Sequence, residues 1–425
     1  MSSRATTWES VENHPGWAAA VWLLRPLQAA IASPMAFYLA AMTVFLFRPP
    51  DLDLYHADRI ATGVLVFSLM LRVLAMRDRL PLVTGVTLPL MGLACLAVTR
   101  ALREPFDSQT WSLVASKFVV PFILFHAAIV VFREPRARRA FELFVIAALA
   151  YLVFTAIAFL LDARSLIFPR YILDESLGIH AERARGPFLQ AVANGLSLNM
   201  LGILALVLAP KRRAVLLLWL ALPAAILATM TRAVWIAFAL SSIAIGFRLG
   251  AGCIRRFTTA LVILGLMAGP LIFLTDNSLA TTLRERTAER GPVEARMAVY
   301  EAAWTMFRER PLRGWTAGGM YEELARRMPG YHLKAFFAHN TYLSLLIEFG
   351  LPGLLLYTIL FLNLFRMRRK NMRDGPETAA LRRAWPILLG VFLFNAFWVD
   401  MAYQFVIGLL FTAAGMLCAS EENLR

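Results

Sequence analysis

The sequence predicts an all-α polytopic membrane protein, and three observations carry that prediction. Of 425 residues, 59% are hydrophobic and only 17% are charged, with a mean hydropathy of +0.62. Apolar runs recur along the whole chain at lengths near the ~20 residues that cross a bilayer core. The arginines and lysines fall mostly in short clusters between those runs, where positive charge orients a chain in the membrane and attracts anionic lipid. A single soluble core has no room for so much apolar surface. The net charge of +15 is therefore read as a membrane signal, and no nucleic-acid partner is expected.

The elements follow in order. A half-inserted or amphipathic segment at 17 to 31 precedes about twelve spans. Arg25 and Pro26 interrupt this first apolar stretch and no small-residue cleavage site follows, so no cleavable signal peptide is expected. The spans are expected at 33 to 47, 59 to 76, 82 to 98, 111 to 132, 140 to 161 and 189 to 209. The rest are expected at 214 to 229, 232 to 247, 257 to 274, 340 to 365, 384 to 399 and 402 to 418. The pairs at 214 to 247 and 384 to 418 are short, and either pair could divide differently. Residues 1 to 425 thus form a single membrane domain.

Charge then sets the topology. Arg77 with Arg79, Arg133 to Arg139, Lys211 to Arg213, Arg248 to Arg256 and Arg366 to Arg383 all fall on one side of the twelve-span arrangement. That side is cytoplasmic by the positive-inside rule, and both termini lie there. Two longer segments face outside, a shorter one at 162 to 188 and a large loop at 275 to 339 between spans nine and ten. The large loop carries nine arginines, and loops of about that length (~60 residues or more) are largely exempt from the orientation rule. Its basic character points to an anionic substrate. Within it, "GPVEARMAVYEAAWTMFRERPLRGW" predicts an amphipathic helix: Pro292 suits a first turn, Met297, Tyr300, Ala303, Trp304 and Phe307 recur at helical steps, and Pro311 ends it. Such a helix lies on the membrane surface, caps a cavity, or does both.

Candidate chemistry sits where that loop enters the tenth span, in "FFAHNTYLSLLIEFGLPG". His339 stands at the expected helix start, and imidazole is the side chain that titrates near neutrality. The positive end of a helix favours its neutral form, which suits a general base. The position also fits a simple interfacial histidine, and Asn340 a simple N-cap. Glu348 lies about two turns inside the span, where an ionisable group faces a wet cavity or pairs with an arginine of a neighbouring helix. Gly350, Pro352 and Gly353 predict a kink and a close helix contact.

Arginines facing the outside form the second group. Arg183 and Arg185 precede Gly186-Pro187, Arg232 opens the eighth span in "TMTRAVW", and Arg296 sits on the loop helix. Guanidinium forks suit phosphate oxygens, whereas any one of them could instead snorkel to lipid headgroups. The six histidines are scattered without an H-E-x-x-H pattern, and there is no Walker loop. Metal chemistry and ATP are not expected, so a group transfer would use an already activated donor. Cys95, Cys253 and Cys418 are far apart and suggest neither disulfide framework nor zinc site.

With these residues in place, the chain resembles the O-antigen ligase and polymerase superfamily of bacterial inner-membrane proteins. The likeness covers roughly 180 to 360, through "RARGPFLQAVANGLSLNM", "ATMTRAVWIAFAL", "RMAVYEAAWTMFRERPLRG" and "HNTYLSLLIEFGLPG". The last is the specific one, because His339, Asn340, Gly350 and Gly353 fit the spacing of the ligase branch. The resemblance implies a membrane-embedded glycosyltransferase of the GT-C type that uses no cofactor and no metal. Such a ligase moves a glycan from an undecaprenyl-diphosphate-linked donor to a sugar of a lipid A core acceptor, at a periplasmic site, with inversion. It implies His339 as the catalytic base and Arg185, Arg296, Arg232 and Arg183 as diphosphate-binding residues, Arg183 being an alternative to Arg185. Asn194, Asn340, Glu348, Gly350 and Gly353 would support them. The chain departs from the family at "GWTAGG", 314 to 319, where members often carry Gly-x-Gly. Polymerases and O-linked oligosaccharyltransferases of the same superfamily would share the donor chemistry. A secondary transporter is the reading from another class, and the absence of evident inverted repeats and the large basic loop speak against it.

Overall fold

The computed structural model describes residues 34–48, 56–76, 82–248, 291–328, 337–369 and 375–422. The segment at 17 to 31, the span at 257 to 274 and the first part of the large loop lie outside the described residues. Every regular element among the described residues is helical.

Along the chain these are α1 (Met35–Leu46), α2 (Ala57–Met76), α3 (Thr84–Ala101) and α4 (Ser108–Val114), which passes through a π-turn at Ala115–Val119 into α5 (Val120–Val131). Then come α6 (Pro135–Leu160), α7 (Ala191–Leu208), α8 (Arg213–Ala228), α9 (Arg232–Arg248), α10 (Gly291–Glu309) and α11 (Ala317–Arg326). The last three are α12 (Thr341–Arg366), α13 (Pro376–Ala396) and α14 (Gln404–Glu422). Five helical stretches, Thr84–Ala101, Thr110–Val131, Pro135–Leu160, Ala191–Leu208 and Thr341–Arg366, are long and apolar enough to cross a membrane. Each of the other expected spans within the described residues also falls on a helix. Their ends shift, most at the eleventh span, where Pro376 at the first turn starts α13 eight residues before the expected position 384.

Without water in the bilayer core, helices must satisfy their own backbone and meet through close side-chain packing. α7 shows how this sequence does so. It is buried almost throughout, and its glycines let neighbours in: a Cβ on Gly195 would stand 2.6 Å from Val234 of α9, and one on Gly202 2.7 Å from Leu222 of α8. Trp219 of α8 donates its indole N–H to the Gly202 carbonyl at 2.8 Å. The core is continuous from α1 through α5, α7, α13 and α14.

A smaller apolar cluster joins the helices of the large loop to α12, uniting Val299, Ala303 and Met306 of α10 with Met320 and Leu324 of α11 and Ile347 of α12. The helix predicted in the large loop is therefore present, and its inward face keeps Ala303 and Tyr300 of the predicted stripe. Met297 and Trp304 of the predicted stripe are 65% and 50% exposed, while the smaller Val299 and Ala302 are buried.

Candidate functional site

The site begins at the entry to α12. Asn340 has extended backbone (φ −155°) and its side-chain oxygen accepts the Leu343 N–H at 3.1 Å, the N-cap the sequence allowed. Just before it, His339 adopts a left-handed conformation (φ 49°), which histidine tolerates better than most residues. His339 is exposed between buried Ala338 and Asn340. Its pKa lies below the ordinary 6.5, first because of desolvation and then because of the positive charge of Arg296, with Asp400 pulling the other way. The ring is neutral at pH 7, as a general base must be.

Two hydrogen-bonded joints bring partners to this histidine. The Thr341 hydroxyl donates to the Val399 carbonyl at 2.8 Å and accepts the Met401 N–H at 2.9 Å, which fixes Asp400 alongside. From α10, the Tyr300 hydroxyl donates to the Phe397 carbonyl at 3.2 Å, and the Asn340 side-chain amide reaches that hydroxyl at 3.5 Å. Arg296 lies one turn before Tyr300 and rests 5.7 Å from the centre of the Trp398 ring. His339 and Arg296, distant in sequence, are thus held in one place.

The interrupted helix explains itself in the same region. Gly350 has φ 66° and ψ −161°, a conformation open essentially to glycine alone, and a Cβ there would meet the Pro311 carbonyl at 2.5 Å. The break frees backbone groups that an unbroken helix would consume, and the segment after α10 takes them up. Trp315 N–H donates to the Ile347 carbonyl at 2.7 Å and Leu351 N–H to the Pro311 carbonyl at 2.8 Å. Arg100, at the end of α3, donates to the Glu348 carbonyl at 2.9 Å and reaches that of Trp315 at 3.4 Å. Gly314, with φ 61°, completes the joint, because a Cβ there would lie 2.5 Å from the Glu348 carbonyl. The arginine that meets Glu348 does so at its backbone oxygen, not at the carboxylate that the sequence reading had paired with an arginine. Gly353 sits one turn beyond, tight against Phe349.

Below His339 lies a polar group that the sequence reading did not single out. Lys117 and Asp400 form a buried ion pair at 2.7 Å, each side chain 9% exposed. Lys117 lies within the π-turn, an irregularity that recurs at functional sites. The signal was present: a single lysine inside the apolar run 111 to 132 is an intramembrane charge, and such residues are rare without a purpose. Lys117, Asp400, Glu348, Ser344, Thr341 and Tyr357 line a cavity of about 30 Å³. Glu348 is 4% exposed and turned inward, as predicted.

The remaining arginines belong to a second group, built on the loop before α7 and the turn between α8 and α9. Arg185 is buried and spends its donors inside its own loop, giving Nε–H to the Ile172 carbonyl at 3.0 Å and its two terminal nitrogens to the carbonyls of Leu177 and Asp174. It shapes the segment at 172 to 177 because those carbonyls have no helix to satisfy them. Arg183 is half-buried and pairs with Glu182 at 3.3 Å. Asn194 of α7 secures the same loop, donating to the Ala184 carbonyl at 2.8 Å. Gly186, at φ 56°, passes so close that a Cβ would stand 2.6 Å from the Asn194 side-chain oxygen. The Ala184 N–H donates to the Ala228 carbonyl at 3.0 Å, which ties the arginine loop to the end of α8, four residues before Arg232. The structure therefore joins the first two arginine motifs to each other and the third to the histidine motif.

No curated protein matches the chain. Residues 214–358 match the family model described as O-antigen ligase. The matched stretch contains Arg232, Arg296, His339 and the Gly350 break, and stops short of Lys117, Asp400, Asn194 and the Arg183–Arg185 loop. The match falls on the helices that carry the histidine and its arginine, and over those residues the chain is similar to the O-antigen ligase family.

Proposed function

We propose that this protein transfers a glycan from undecaprenyl diphosphate to a sugar of the lipid A core, as a metal-independent, inverting membrane glycosyltransferase acting on the periplasmic side of the inner membrane. The observation that carries the reading is a neutral, exposed His339 held beside Arg296 within the region that matches the O-antigen ligase family. His339 takes the proton of the acceptor hydroxyl as that oxygen attacks the anomeric carbon. The glycosidic bond to the diphosphate breaks and the diphosphate leaves with the bonding pair. Arg296, Arg232 and the Arg183–Arg185 loop offset its growing charge, a task suited to preorganised guanidinium groups. Arg183 is the better placed of that pair to meet a diphosphate, since the guanidinium of Arg185 is bound to its own loop.

The test uses the full chain in nanodiscs with undecaprenyl-diphosphate glycan, lipid A core and a chelator. Glycan on the core with the native protein and none with His339→Ala is the expected result. Longer lipid-linked glycans without core transfer would make the protein a polymerase. Equal transfer by His339→Ala would remove the histidine from the mechanism.

A further inference from the structure

The small cavity beside Lys117 and Asp400 is more polar than its surroundings require. Ser344 Oγ, Tyr357 Oη and Asp400 Oδ1 are buried side-chain atoms with no hydrogen-bond partner among the described residues, and all three residues line it, as does the inward-facing Glu348. An orphaned buried polar atom costs on the order of 1–3 kcal/mol, and several around one void point to internal water. A volume of about 30 Å³ exceeds the ~10–15 Å³ that one water molecule needs. Thr341 and Asp400 connect the void to the site above: Thr341 lies two residues after His339, and Asp400 is close enough for its charge to be felt by the imidazole.

We propose that this cavity is a hydrated proton station for His339, with Glu348 as the group that holds the proton during the transfer. The inference rests on the function proposed above. While donor and acceptor cover His339 they exclude bulk water, and the proton taken from the acceptor hydroxyl must stay within the protein. On the imidazole it would sit beside the positive charge of Arg296, an unfavourable place. The imidazolium passes its proton to a cavity water, which passes one to the Glu348 carboxylate and restores the neutral histidine. Once product leaves, the proton returns by the same route to outside water. No other bond changes. The charged and titratable groups facing Glu348 come from every neighbouring element: Lys117 on the π-turn, Asp400 after α13, Arg100 on α3, Tyr321 on α11 and Tyr357 on α12.

Two measurements test this in nanodiscs of phosphatidylethanolamine and phosphatidylglycerol. Radiolytic labelling of the full chain detects ordered water beside buried side chains. Met401, which lines the cavity and is 3% exposed, and Tyr357 should be labelled. Unlabelled Met401 and Tyr357 would overturn the hydrated cavity. Glycan transfer is then followed in the native protein, Glu348→Gln, Glu348→Asp and His339→Ala. Glu348→Gln should lose about 10- to 100-fold in kcat, with the donor KM within about twofold of native. Glu348→Asp should recover part of the rate and show a larger solvent deuterium effect than native, which a merely structural carboxylate would not produce. Native-like kcat in Glu348→Gln would overturn the station, as would a native isotope effect in Glu348→Asp. Native-like transfer by His339→Ala would instead remove the histidine from the mechanism, and the station with it, whereas no transfer by the native protein would sink the functional reading. Should Glu348→Gln fail to fold, the Glu348→Asp arm decides alone.

Discussion

At the scale of single residues, the site depends on keeping an imidazole neutral beside a guanidinium. Because the pKa of His339 lies below 6.5, the larger fraction of the imidazole can accept a proton at pH 7, and that fraction falls as the pH drops through the lowered value. The acid limb of kcat/KM should therefore lie below pH 6.5. Arg296→Ala removes one cause of the shift and leaves desolvation in place, so the limb should move upward toward 6.5, and pH–rate profiles of the two proteins check the sign. The unfolded chain binds a proton on this histidine at higher pH than the folded protein does, so the group also disfavours folding as the pH falls through 6.5. His339→Ala should cost about 10²–10⁴-fold in transfer rate, in line with a general base.

At the scale of elements, α12 behaves as two pieces joined by a glycine. The piece between Thr341 and the break carries the histidine at one end, and the segment from Pro311 to Trp315 holds its other end. A methyl group at Gly350 would both force a backbone conformation that costs about 1–3 kcal/mol and strike the Pro311 carbonyl. Gly350→Ala should accordingly lower the thermal midpoint in detergent and reduce transfer, since α10 and its Arg296 would shift from His339. The buried ion pair is a similar case. Lys117→Met leaves Asp400 without its partner and should destabilise by about 3–5 kcal/mol, whereas Lys117→Met with Asp400→Asn should recover much of the loss. Unfolding of both variants in the same detergent measures the difference.

At the scale of the whole molecule, the twelve-span arrangement predicts opposite labelling of its two sides. In a cysteine-free chain, a cysteine in place of His180 should react with a membrane-impermeant maleimide added to intact cells, and one in place of Arg136 only after the cells are opened. The reverse result would invert the topology. Much of this scale was legible, because apolar length and basic clusters respond to the bilayer directly. Helices stand where the described spans were expected, and the spacing of His339, Asn340 and Gly350 marked the entry to the site. The sequence by itself determined a helical membrane protein with an amphipathic helix in its large loop, since those follow from composition and periodicity along one segment. Only the tertiary structure decided that Lys117 meets Asp400 across 283 positions, that Arg185 turns into its own loop, and that Arg100 joins the broken α12. Those depend on which backbone groups each fold leaves unsatisfied and on which distant charge arrives to satisfy them, and neither is written in the spacing of any single stretch.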